Sequence, residues 1–152
     1  MEFSGKKVTV VGTGISGIGA VGLLNAVGAE VVLYDGNEKL KIEDIEKKLG
    51  TYKAEIVLGE LTKELTDSSD LLVISPGVPI DSPVVKAFEA AGVPVWGEVE
   101  LAYAFDKGKV LAITGTNGKT TTTALVGQIV GAYHKDTFVV GNIGNPYTTE
   151  VL

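Results

Sequence analysis

The stretch Lys7-Val8-Thr9-Val10-Val11-Gly12-Thr13-Gly14-Ile15-Ser16-Gly17 decides the fold. Its β-branched run ends abruptly at Gly12 and reads as a buried strand. Beyond it, Ile15, Ile18, Leu23, Leu24 and Val27 recur at helical spacing, and Gly28 can close that helix. The junction is a G-x-G-x-x-G loop, Gly12 to Gly17. Glycines there let the backbone approach a diphosphate, whose charge would meet free N–H groups and the positive end of the helix. Ser16 can add a hydroxyl. The same string also suits a plain tight turn between strand and helix, with Gly17 present for packing.

Working outward, Glu30 to Tyr34 reads as a second strand ending in the turn Asp35-Gly36-Asn37. Asp35 lies 18 residues past Gly17, at a strand end where an acid commonly meets a ribose or base. Lys39 to Leu49 spaces Leu40, Ile42, Ile45 and Leu49 among charges, as an exposed amphipathic helix does. Ala54 to Leu58 and Asp70 to Ser75 are expected as further strands. A proline-marked loop follows, then a helix near Pro83 to Ala91, a short strand at Val93 to Trp96, and a helix from Glu98 to Phe105. Strands alternating with helices at this spacing predict an α/β fold, a Rossmann-like parallel sheet with helices on both faces. Ligands collect at the carboxyl ends of such strands, so Gly12, Asp35 and Ser75-Pro76-Gly77 should share one rim.

Composition narrows the partners. The 152 residues carry 13 Lys+Arg against 19 Asp+Glu, a formal charge of −6, with an isoelectric point near 4.8. That balance argues against a nucleic-acid or anionic-membrane partner. Every basic residue apart from His134 is lysine, so an anion must be held by lysine or backbone N–H, without arginine forks. The absence of cysteine removes disulfides, thiolate metal sites and thiol nucleophiles. Met1 to Gly5 lacks the basic and apolar regions of a signal peptide, and no apolar run is long enough to span a bilayer; a cytoplasmic chain is expected. Glycine is in excess, 20 of 152 residues against a usual value of about 7%, and clusters where apolar runs end.

Asp106-Lys107-Gly108-Lys109 reads as a linker, dividing residues 1–106 from 107–152. A new strand–loop–helix unit should begin with a strand at Val110 to Ile113, followed by a helix near Lys119 to Tyr133 and a strand near Thr137 to Val140. The loop, Gly115-Thr116-Asn117-Gly118-Lys119-Thr120, has the G-x-x-G-K-[ST] form. Its amides would cradle phosphates, Lys119 would meet the β/γ oxygens, and the Thr120 hydroxyl would ligate Mg²⁺. It departs from the usual P-loop by placing Ile113 where the first glycine belongs. A surface turn capped by threonines is the plainer alternative. His134, the lone histidine, is expected in solvent. Glu98 and Glu100 suit a first helical turn without any catalytic role. Gly141-Asn142-Ile143-Gly144 fits a ligand loop or a turn equally well.

Two dissimilar phosphate loops suggest an enzyme that uses ATP on a substrate itself bearing a nucleotide or diphosphate. Ile113-Thr114-Gly115-Thr116-Asn117-Gly118-Lys119-Thr120-Thr121 resembles the ATP loop of the Mur ligases, the missing glycine included. The Gly12–Gly17 loop, Ser75-Pro76-Gly77-Val78-Pro79, Gly97-Glu98-Val99-Glu100-Leu101 and Gly141–Gly144 follow the order of the branch that joins D-glutamate to UDP-N-acetylmuramoyl-L-alanine. The resemblance spans essentially the whole chain. It implies ATP-dependent amide formation through an acyl phosphate, a step of peptidoglycan synthesis. It also implies that Gly14, Ile15, Ser16 and Gly17 line the diphosphate, Asp35 borders the uracil, and Gly77 and Asn142 flank the substrate. Gly115, Thr116, Asn117, Gly118, Lys119, Thr120 and Thr121 would hold ATP, with Lys119 catalytic and Thr120 on Mg²⁺. Family members continue into the rest of an ATPase domain and a third domain for D-glutamate. On this resemblance residues 107–152 are the start of a P-loop ATPase domain, and the chain is an amino-terminal piece unable to ligate alone. A non-catalytic NAD-type module, a dehydrogenase fragment and a glutamate-adding ligase acting on a folate are the competing expectations.

Overall fold

The computed structural model describes residues 2–152. Five strands, β1 (Lys7–Val11), β2 (Glu30–Asp35), β3 (Glu55–Leu58), β4 (Leu71–Ile74) and β5 (Val95–Gly97), form one parallel sheet in the order β3-β2-β1-β4-β5. Helices α1 (Ile15–Ala26), α2 (Ile42–Leu49), α3 (Lys63–Ser68), α4 (Pro83–Ala90) and α5 (Glu98–Tyr103) connect and flank them. The three-layer expectation holds.

Alternation along the strands explains why both faces are covered. Val8 and Val10 of β1, Val31 and Leu33 of β2, and Leu71 and Val73 of β4 point to one side, against Val21 and Leu24 of α1, Ile45 of α2 and Leu101 of α5. Val11, Val32, Tyr34, Leu72 and Ile74 point to the other side, against Leu65 of α3 and Val85 and Phe88 of α4. A strand buried on both faces reads as a continuous apolar run, as β1, β2 and β4 do. The one polar interruption, Thr9, is neutralised by a hydroxyl pair with Ser69 at 2.8 Å. Chain order reverses direction between β1 and β4, so the crevice at their carboxyl ends is the topological switch point.

Helix α3 was not anticipated. It occupies a single short stretch between β3 and β4, begun by Thr62, whose hydroxyl accepts the Leu65 N–H at 3.3 Å. Six residues give too few turns for a helical period to stand out.

The second unit differs more. Helix α6 (Lys119–Tyr133) forms where expected, but no strand forms at Val110 to Ile113, and the one expected at Thr137 to Val140 reduces to a single bridge between Val140 and Asn145. Strand propensity is realised only against a neighbouring strand, and no other strand lies alongside either segment. The strand–loop–helix start of a P-loop domain is therefore a loop and a helix here. Leu111 is 70% and Tyr133 84% exposed, and α6 buries no residue.

Residues beyond α6 return to the first sheet. Helix α7 (Tyr147–Glu150), also not anticipated, packs on α1 and α5, with Tyr147 and Thr148 buried. No helix among the described residues is long and apolar enough to cross a membrane.

Candidate functional site

The first glycine loop sits on the switch-point rim. Gly12 takes φ +103°, open to glycine and strained for any side chain, and its N–H donates to Tyr34 O at 2.9 Å. A Cβ on Gly17 would stand 1.9 Å from Gly12 O, so only glycine lets α1 start this close to β1. Nothing caps the N-terminus of α1 with a side chain. The N–H groups of Gly14, Ile15, Ser16 and Gly17 have no acceptor among the described residues. Unpaired amides at the positive end of a helix form an anion cradle.

Asp35 stands beside that loop. Its Oδ2 accepts the Thr13 N–H at 3.3 Å and the Thr13 hydroxyl at 3.0 Å, while Oδ1 accepts the Asn37 N–H at 3.1 Å. Burial, and then the Asp35 charge, push the Tyr34 phenol above its ordinary value; its hydroxyl donates to Gly59 O at 2.8 Å. Lys48 of α2 reaches Thr13 O at 3.4 Å. Across the crevice, a Cβ on Gly12 would meet Ser75 Oγ at 3.0 Å and come within 4.0 Å of Val78. The rim thus unites Gly14, Ile15, Ser16, Gly17, Asp35 and the loop bearing Gly77, which is exposed.

Sequence reasoning placed Ser75 on this rim without foreseeing its burial, and it gave Thr13 no role of its own. Thr13 lies between two glycines and gave no signal beyond its place in the loop. The Ser75 hydroxyl is buried with no hydrogen-bond partner among the described residues, close to both Gly12 and Gly17.

The second loop, Gly115 to Thr121, is exposed throughout. Gly118 takes φ +77° at the start of α6, and the N–H groups of Gly118, Lys119, Thr120 and Thr121 have no acceptor among the described residues. The exposed Lys119 side chain folds back along its own loop: its ammonium donates to Gly115 O at 2.5 Å and Thr116 O at 3.4 Å. Meeting a phosphate would exchange these loop carbonyls for anionic oxygens. The loop's hydrogen bonds are internal, and none joins it to the first loop among the described residues.

Asn142 is exposed at the tip of a pinched loop. Gly141 N–H donates to Asn145 O at 3.3 Å across its base. Glu98, 2% exposed, accepts the Thr148 N–H at 2.8 Å and hydroxyl at 2.7 Å on Oε1, which agrees with the structural role expected for it. His134 is exposed, as expected. No group of three or more His, Cys, Asp or Glu able to hold a metal occurs among the described residues. Thr120 offers one oxygen, which suits Mg²⁺ only where phosphates and water complete the shell.

A parallel sheet with unpaired helix-start amides at its switch point, followed by a lysine-bearing glycine loop, defines a Rossmann-like α/β protein. The chain belongs to the Mur ligase family: the family described as "Mur ligase MurD-like, N-terminal domain" matches residues 6–97. Its relatives include the UDP-N-acetylmuramoylalanine–D-glutamate ligase of Lachnospira eligens, 68% identical over 152 residues, covering 100% of this chain and 34% of that protein. The enzyme of the same name from Lachnoclostridium phytofermentans is 57% identical over 152 residues, covering 99% and 34%. That from Alkaliphilus metalliredigens is 43% identical over 154 residues, covering 100% and 34%. The chain thus spans about a third of the length of these relatives. A pseudomurein peptide ligase type C from Methanothermus fervidus is similar in fold, with a TM-score of 0.58 at 24% identity over 97% of this chain and 31% of that one.

Proposed function

We propose that this chain supplies the UDP-substrate cradle and an ATP-contacting loop of a cytoplasmic ligase that joins D-glutamate to UDP-N-acetylmuramoyl-L-alanine. The observation that carries the reading is the rim at the switch point, where unpaired N–H groups of Gly14 to Gly17 stand beside Asp35 in a chain 68% identical to an enzyme of that name.

In this reading Gly14, Ile15, Ser16 and Gly17 hold the diphosphate through backbone N–H groups, and the Ser16 hydroxyl adds a donor. Asp35 borders the uracil while keeping Thr13 in place. Gly77, with nothing within 4 Å of a would-be Cβ, leaves room for substrate to pass close to the backbone. Asn142 faces the muramoyl-alanine end. Residues 1–106 form the substrate domain, and residues 107–152 contribute to a central ATP-binding unit. There Gly115 to Thr121 would receive ATP, Lys119 would neutralise phosphate oxygens, and Thr120 would contribute one ligand to Mg²⁺. When bound, ATP with Mg²⁺ supplies the phosphoryl group that activates a carboxylate. The work of this chain is positioning and charge neutralisation, the main protein contributions to phosphoryl transfer.

The test is a titration of ¹⁵N-labelled chain with UDP-N-acetylmuramoyl-L-alanine. The expected result is saturable movement of the Ser16 and Gly17 amide signals, reproduced more weakly by UDP. Silence of those signals at millimolar ligand counts against the reading. Displacement by NADH but not by UDP-sugars would favour a dinucleotide module instead.

A further inference from the structure

A buried side-chain contact joins α5 to α7, the helix that follows the loop bearing Asn142. Glu98 starts α5 on the first sheet, while Thr148 lies in α7, and the two side chains meet in a fully buried contact. One carboxylate oxygen of Glu98 takes both the Thr148 N–H and the Thr148 hydroxyl. The other, Oε2, is buried with no partner among the described residues, so the carboxylate is given wholly to this one contact. Burying a carboxylate is costly, and it is tolerated where the contact it makes fixes a geometry.

The clamp is keyed to α1 as well. A Cβ on Gly19 would stand 2.7 Å from Thr148 Oγ1 and 3.5 Å from Pro146. Gly19 is one helical turn beyond Ile15, where the cradle opens. The segment leading into α7 is therefore seated against the first turns of α1. The pinched loop lies immediately before this segment: Asn145 O accepts the Gly141 N–H, and Asn145 Nδ2 donates to Glu150 Oε1 at 2.5 Å. Thr148, Asn145 and the 141–144 tip form one continuous support.

We propose that Glu98 and Thr148 are positioning residues that hold the 141–144 loop beside the diphosphate cradle, so that Asn142 meets the sugar–alanine side of the substrate while the cradle holds its UDP side. The role for Asn142 rests on the function proposed above; the clamp itself does not.

Thr148→Val keeps shape and the backbone donor but removes the hydroxyl, and Thr148→Ser restores it. In the 152-residue chain, Thr148→Val should speed hydrogen exchange of the 141–144 amides about tenfold while leaving Gly14 to Gly17 unchanged, with recovery in Thr148→Ser. The affinity for UDP-N-acetylmuramoyl-L-alanine should fall about tenfold and that for UDP should stay within about twofold. Combined with Asn142→Ala, Thr148→Val should add no further loss, because one acts through the other. Unchanged exchange at 141–144, or equal loss of both ligands, overturns the clamp. Altered exchange in a chain that binds neither ligand overturns the functional reading and with it the role for Asn142, while the clamp stands.

Discussion

Thr13 and Asp35 are joined twice: the threonine's backbone N–H and its hydroxyl both donate to the same carboxylate oxygen. The acid at the end of β2 therefore holds the glycine loop in shape. Asp35→Ala should leave the buried Thr13 hydroxyl unpaired and cost about 1–3 kcal/mol of stability. Affinity for UDP should fall as the loop loosens. Asp35→Asn keeps an acceptor and should recover part of both; chemical denaturation and calorimetric titration of the variants check this.

Gly17 is the position where a single methyl group should do most harm. Its would-be Cβ is 1.9 Å from a backbone oxygen, which cannot swing aside as a side-chain tip can. Gly17→Ala should cost about 1–3 kcal/mol through forced displacement of α1 from β1. Gly14→Ala, with nothing within 4 Å, should be nearly neutral for folding. Thermal midpoints of the two variants should therefore separate clearly.

Lys119 tests whether the two loops serve separate ligands. Among the described residues its ammonium donates to Gly115 and Thr116 alone. Lys119→Ala should leave UDP affinity within about twofold of the parent chain while abolishing any binding of an ATP analogue. A loss of UDP affinity would show the loops to be coupled.

The Tyr147 hydroxyl donates to Asp106 Oδ2, tying α7 to the segment just after α5. That bond, then the Gly108 N–H, hold the Asp106 carboxyl below its ordinary range, while burial, then Asp106, raise Tyr147 above the usual phenol range. A lowered carboxyl stabilises above its unfolded value of about 4 and loses that contribution as pH falls through its folded value. A raised phenol contributes fully below about pH 10 and loses that contribution only as pH climbs through its folded value. The acid effect should be small, since Asp106 is only half-buried and solvent screens its charge. Tyr147→Phe should flatten both arms of the thermal midpoint against pH, and in ultraviolet titration the late-ionising tyrosine component, to which the raised Tyr34 also contributes, should shrink in that variant.

The first sheet was legible because its signals are local. A β-branched run followed by glycines at Gly12, Gly14 and Gly17, with Asp35 closing the next strand, dictates strand, turn, helix and rim together. The helix Lys119–Tyr133 was legible for the same reason. The strands expected at Val110 and Thr137 were not formed, because a strand is a property of a pair and the sequence names only one member. Helices α3 and α7 are too short to show a period. The partner of Glu98 lies 50 residues away, and nothing in the local pattern around Thr148 announces it. Whether Lys119 faces outward or folds back on Gly115 is likewise a matter of what surrounds it.

Because Asp106 and Tyr147 touch, the stretch between them is a closed excursion, leaving and rejoining the five-stranded unit at one point. Each doubling of such a closed length costs only about 0.6 kcal/mol in chain entropy. The glycine loop and helix it carries are thus free to change in size or packing over evolutionary time, with little toll on the sheet from which they depart.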